Sequence, residues 1–302
     1  MSDVKILETA YEILQKKVIK ENYPKYMSEV FSGNTDEKHS VKSILKEATQ
    51  VIEWKKDKKI ILVDKEEYYK HLLNEVYAFY FRAQTQKHNI DEMLNSQKFD
   101  FTWKFVTQYY FFYFISCALS RINNYFVIYL EDDLAKQISQ TLTLYAKEPI
   151  QINGNATFFL KAENYREEEG KVKITLNQTR DQHKSSSQAL RAFFKTHKGN
   201  CVQDNLGLEH NLVSKIYELL TSNSFSFSRA RNYYNYRFEH AFNNSNKELV
   251  SKNFYDNNEL MWEYLININI GNIQIENSSQ LLVCVSEYSY QLLDKIIEKI
   301  LT

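Results

Sequence analysis

Apolar residues recur at helical spacing along much of this chain, and the runs that break the rule stand apart clearly. Residues 2–20 place Ile6, Ala10, Ile13, Leu14 and Val18 on one face, which predicts an amphipathic helix. A connector around Pro24 and Gly33 follows. Between Ser40 and Trp54, the positions of Ile44, Leu45, Ala48, Val51 and Ile52 predict a second, short helix. "KKIILVD", Lys58–Asp64, is β-prone, and Asp64 is placed to cap a helix running from Lys65 to about Gln86 on Tyr69, Leu72, Leu73, Val76, Phe79 and Tyr80. Phe101–Asn123 is apolar on nearly every side, as expected of a helix buried in a bundle. A further helix is predicted over Leu134–Tyr145.

From Pro149 to Arg180 the period changes from helical to alternating. β-branched residues and turn candidates at Asn153-Gly154 and Glu169-Gly170 predict a hairpin or three-strand excursion. Helices then resume in "DQHKSSSQALRAFFKTH", pause over Gly199–Gly207, continue through Glu209–Leu220 and Ser228–Asn243, and close with about Ser278–Ile300. The expectation is a mainly α protein: an N-terminal helical extension (1–60), a first half of the helical core (61–148), a small β insertion (149–180) and a second half (181–302). Six glycines and two prolines in 302 residues are too few for a many-turned β-sandwich, so composition agrees.

Lysine plus arginine equals aspartate plus glutamate at 38 each, so no global basic field exists and any nucleic-acid contact needs a local patch. Cys117, Cys201 and Cys284 are widely separated and odd in number, which argues for a reducing cytoplasm, against a disulfide framework and against zinc. The N-terminus has charges where a signal peptide would be apolar. Phe105–Ser120 is the most membrane-like span, but its 16 residues fall short of the roughly 20 that cross a bilayer and include Thr107, Gln108 and three tyrosines. No membrane association is expected.

The densest chemistry lies in "SRARNYYNYRFEH", Ser228–His240. On a helical wheel Ala230, Tyr234, Phe238, Ala241 and Phe242 form an apolar arc with Arg231 at its edge, while Asn232, Asn235, Tyr236 and Glu239 form the adjoining one. A merely solvated face favours Lys and Glu. An arginine among amides and a tyrosine is a hydrogen-bonding array, which either binds a ligand or ties helices together.

"RARNYYNYRF" resembles the terminal-helix signature of HEPN-type helical domains, in which an Arg-Asn pair precedes an aromatic or histidine-bearing turn. Two further segments fit that pattern in order: "WKFVTQYYFFYFISCALSRI" is similar to the tyrosine-pair helix, and "DQHKSSSQALRAFF" to the short histidine-containing segment before the Arg-Asn helix. Together they cover roughly residues 65–245. The resemblance implies a HEPN-like bundle, a homodimer, and a cofactor-free and metal-independent endoribonuclease acting on RNA or a nucleotide in prokaryotic antiphage defence or toxin systems. It implies Arg231, Asn232 and Tyr236 as catalytic residues, with Arg231 as an anion clamp, and Arg229, Asn235, Arg237, His240, His183 and Lys184 as the RNA- or nucleotide-binding set. Tyr236 stands where active members carry histidine; with a pKa near 10 a tyrosine is a weak base at neutral pH, although it donates hydrogen bonds. The alternative implication is a catalytically inactive scaffold that binds a partner protein in a defence complex.

Other segments carry less. "RDQHKSS", Arg180–Ser186, reads as a phosphate-binding helix start or as an ordinary capped turn. The acidic run of "YLEDDL", Tyr129–Leu134, reads as a solvated helix start rather than a Mg²⁺ site, and "YREEEGK" as a charged turn. His39, His71, His88, His197 and His210 have no partner of the HExxH type, so no metal is expected.

Overall fold

A computed structural model describes residues 40–48, 50–55, 58–96, 99–146, 148–165, 170–180, 182–203, 207–222, 226–236 and 249–301. The helix expected over 2–20, its connector, His39, Arg237, His240 and the rest of the stretch after Tyr236 fall outside the described residues, as does Glu169 of the second turn candidate.

The chain is mainly helical with one five-stranded antiparallel sheet. In order come α1 (Val41–Ile44), a 3₁₀ turn (Leu45–Glu47), β1 (Gln50–Lys55), β2 (Lys58–Asp64), α2 (Lys65–Leu94), α3 (Phe101–Ile122), β3 (Tyr125–Leu130) and α4 (Asp132–Leu144). There follow β4 (Ala156–Tyr165), β5 (Lys171–Thr179), α5 (Gln182–Gln203), α6 (Gly207–Thr221), α7 (Phe227–Tyr236), α8 (Lys252–Tyr255), α9 (Asn258–Asn267) and α10 (Ser278–Leu301). Asp64 caps α2 as its position suggests, accepting from the Glu66 and Glu67 amides at 3.0 and 3.1 Å. Asp100 does the same for α3 through the Trp103 amide at 2.9 Å.

The β segment corrects the sequence expectation. Strands β4 and β5 do form a hairpin, but they are inner strands of a sheet ordered β1-β2-β5-β4-β3. They are therefore not an excursion between helical halves. The sheet recruits Tyr125–Leu130, whose alternation the neighbouring acidic run obscures, and Gln50–Lys55, which had been expected to be helical. Only Val41–Ile44 and the following 3₁₀ turn are helical in that region. In a run this short, Val51 and Ile52 satisfy either period, and pairing with β2 decides between them. Asn124, at φ 53°, makes the tight turn from α3 into β3, a conformation asparagine tolerates better than most residues.

Two cores result. One is helical and aromatic, built from α2, α3, α5, α6, α7, α9 and α10 around Phe105, Phe111, Ile115, Phe194, Ile216 and Leu282. The other packs the sheet against α1, α4 and the start of α2, around Ile61, Tyr68, Phe126, Ile138, Phe158 and Ile174. Helix α5 packs on both α3 and β3 and so spans the junction. No helix among the described residues is long and apolar enough to cross a membrane. Helix α3 buries Lys104, Gln108 and Arg121 along with its rings.

Candidate functional site

A cleft of about 460 Å³ opens where the starts of α5 and α7 meet the middle of α3 and the end of α6. Its floor is aromatic: Tyr109, Phe112 and Tyr113 from α3, and Phe227 from α7. From α5 it receives His183, Lys184, Ser187, Gln188 and Arg191. From α7 it receives Ser228, Arg229 and Asn232, with Ser226 just before the helix. Lys184, Ser187, Gln188 and Arg191 are spaced by three, four and seven positions, which places them on one face of α5.

The electrostatics of the cleft are one-sided. Lys184, Arg191 and Arg229 line it together with several hydroxyls, and no carboxylate is among its described lining residues. Two helix N-termini, those of α5 and α7, face it, and their first-turn amides and dipoles favour negative charge. The C-terminal end of α6, at Leu219–Ser222, opposes them more weakly in number. This donor set suits an anion with several oxygens, and among the described residues it offers a metal ion no anionic ligand.

Hydrogen bonds fix the wall. The Tyr109 hydroxyl and His183 Nδ1 are 2.9 Å apart, and the Tyr109 and Tyr113 rings both flank the imidazole. Gln182 Nε2 donates to the Tyr113 hydroxyl at 3.3 Å. Burial pushes the Tyr109 phenol well above its usual range, although the nearby Arg231 charge pulls part of that back. Tyr109 is therefore a neutral hydroxyl at physiological pH, able to orient His183 but not to act as a base.

Arg231 is placed behind this wall rather than inside the cleft. Its guanidinium carbon lies 5.3 Å from the centre of the Tyr109 ring, Nη2 donates to Asn232 Oδ1 at 2.7 Å, and Nη1 reaches the Tyr110 hydroxyl only at 3.5 Å. Its Nε is buried without a hydrogen-bond partner. The contact with Asn232 holds that amide oxygen inward, which leaves the amide nitrogen as the donor end.

Of the residues singled out from the sequence, the structure brings His183, Lys184, Arg229 and Asn232 into one cleft, from segments more than forty positions apart. Arg231 touches it through Tyr109 and Asn232. Asn235 and Tyr236 are exposed, Tyr236 at 72%, and neither lines it. Arg191, Tyr109 and Tyr113 are cleft residues that the sequence reading did not name as site residues, although it singled out both segments that carry them and the spacing of Lys184 and Arg191 carried the signal. Comparison with family models, with curated proteins and with solved structures finds no significant match to this chain.

Proposed function

We propose that this chain is a HEPN-like protein that acts on RNA or a nucleotide through the α3–α5–α7 cleft, as a metal-independent endoribonuclease in prokaryotic antiphage defence. The observation that carries the reading is a cleft whose described lining has three cations, two helix N-termini, a tyrosine-held histidine and no carboxylate. In this scheme Lys184, Arg191 and Arg229 hold the phosphate, and His183 takes the proton of the ribose 2′-hydroxyl. The 2′-oxygen attacks phosphorus, the 5′-oxygen leaves and takes up a proton, and a 2′,3′-cyclic phosphate remains. Asn232 donates to a phosphate oxygen, with Arg231 as its positioning residue. Tyr236 has no part in the step.

The test is RNA cleavage by purified protein in EDTA, with product ends identified. Cyclic phosphate and 5′-hydroxyl ends are expected, lost in His183→Ala and retained in Tyr236→Phe. Absence of both cleavage and nucleotide binding in the wild-type protein would refute the reading.

A second reading, a scaffold that docks a partner protein, draws on the exposure of Tyr236 at 72% and Trp103 at 62%. Each lies two positions beyond one member of the packed pair Phe101 and Tyr234, whose ring centres are 4.9 Å apart. On that reading Tyr236→Ser and Trp103→Ser abolish partner capture, and His183→Ala does not.

A further inference from the structure

Helix α5 carries a second constellation. Further along it by roughly 20 Å, at 1.5 Å per residue, His197 and Cys201 stand one helical turn apart. Glu209, in the first turn of α6, reaches back to them. Cys201 Sγ lies 3.9 Å from His197 Nδ1, and His197 Nε2 lies 3.3 Å from Glu209 Oε1. One donor atom from each of the three falls within 4.8 Å of the others. His197 and Cys201 are fully buried.

We propose that His197, Cys201 and Glu209 form a zinc site that ties the end of α5 to the start of α6. The ordinary account, a buried histidine paired with a carboxylate beside an inert thiol, leaves one observation over. His197 Nε2, completely buried, sits 3.3 Å from a carboxylate oxygen, close enough to pair with it but too poorly aligned for a well-formed hydrogen bond. A buried ring nitrogen whose partner is poorly aligned forfeits part of a hydrogen bond to a charged group, which is worth about 1.5–3 kcal/mol in general. A nitrogen and an oxygen that face each other without a proton aligned between them is the arrangement two ligands of one cation adopt. With zinc bonds of about 2.0–2.3 Å, tetrahedral donors lie roughly 3.3–3.7 Å apart; Glu209 already stands at that range from Nε2, while Cys201, which faces Nδ1, must turn toward the Nε2 side to complete the set.

Charge and chemical softness point the same way. A thiolate and a carboxylate together neutralise Zn²⁺, so the occupied site adds no net charge to the core. A sulfur, nitrogen and oxygen donor set favours zinc over the all-oxygen cations Mg²⁺ and Ca²⁺. Tyr288, on α10, has its hydroxyl 3.3 Å from Glu209 Oε1, where it orients the carboxylate as outer partners of zinc ligands do. Binding exchanges the Cys201 thiol proton, released to solvent, for the metal–sulfur bond, and a water completes the tetrahedron.

The test uses the full chain. Metal analysis of protein purified without chelator is expected to give near one zinc per chain. Cobalt added to stripped protein is expected to produce a thiolate charge-transfer band, absent in Cys201→Ser. Chelation should lower the melting temperature, and zinc should restore it. Should Cys201→Ser fail to fold, Tyr288→Phe keeps all three ligands and is expected to weaken zinc binding by about tenfold or more. The proposal is overturned if wild-type protein neither carries nor takes up zinc at micromolar concentration, if Cys201→Ser retains the metal, or if Tyr288→Phe binds zinc as tightly as wild type.

Discussion

The helical body and the sheet lobe are both closed by apolar side chains, but they treat polar groups in opposite ways. On β3 and β5 buried residues alternate cleanly, as Phe126, Ile128 and Leu130 and as Val172, Ile174 and Leu176, while the inner strand β2 buries the continuous apolar run Ile60–Val63. Lys59 and Thr157 are the buried polar residues on described strands. The helical body instead buries Gln108 against Ser286, Glu287 against Lys87 and Tyr255, and His197 beside Cys201. Arg121, paired with Glu75, stands at the junction, its guanidinium 4.3 Å from the ring centre of Phe79 in the helical body and 4.8 Å from that of Phe126 in the sheet. Glu75 also accepts from the Val41 amide of α1 at 2.8 Å.

A backbone ladder holds neighbouring strands together, and their buried faces and turns fix the register, so the sheet needs no buried polar contacts to select it. Helices have no such ladder between them and can slide or rotate, so directional contacts in the helical body select one docking. The same choice gives that body the polar inventory from which a cleft can be made. Function is therefore expected there, and the sheet lobe is expected to act as a support.

The strongest way to break this contrast is Glu287→Ala. It strips Lys87 of a counterion held at 2.9 Å and removes the acceptor of Tyr255, so a loss of about 3–5 kcal/mol is expected on chemical denaturation. A loss under about 1 kcal/mol would mean that the pair is solvated and the polar interior is incidental.

Next in size is Arg229→Ala. Arg229 is exposed in the cleft, so stability should hardly move, while affinity for an RNA oligonucleotide falls about 10- to 100-fold by filter binding, the scale of one charge-assisted hydrogen bond. Arg231→Ala should lower both, because its guanidinium also packs on Tyr109.

Ile174→Val probes the support. It removes one methylene from a fully buried position on an inner strand, which should lower stability by about 1 kcal/mol and leave cleft affinity unchanged. A change in affinity would tie the two regions more closely than packing alone does.

The smallest effect concerns acid. Glu163 on β4 faces Lys173 on β5 at 2.7 Å and also pairs with Lys161, which together hold its carboxyl down at about 2. A depressed carboxylate contributes above its unfolded value, about 4.3, and loses that contribution as pH falls toward about 2. The group is substantially exposed, so Glu163→Gln should flatten that acid-side loss by less than about 1 kcal/mol in pH-dependent unfolding.

The sequence by itself determined the long helices, the hairpin and most of the cleft's cations. A 22-residue apolar run, an aspartate before Lys65 and alternation across 156–179 are local signals, and local physics suffices to read them. It also drew attention to His183, Lys184, Arg229 and Asn232, because rare donors crowded at helical spacing are visible in one dimension. Tertiary structure alone decided the rest. Pairing with β2 made Gln50–Lys55 a strand, and the ladder to β4 gave Tyr125–Leu130 its place, since short runs satisfy two periods equally and only a partner distinguishes them. Packing on Tyr109 put Arg231 behind the cleft and left Tyr236 outside it. Helix docking brought Glu209 to His197 and Cys201, because the direction in which one helix returns against another is set by side chains far from it in sequence.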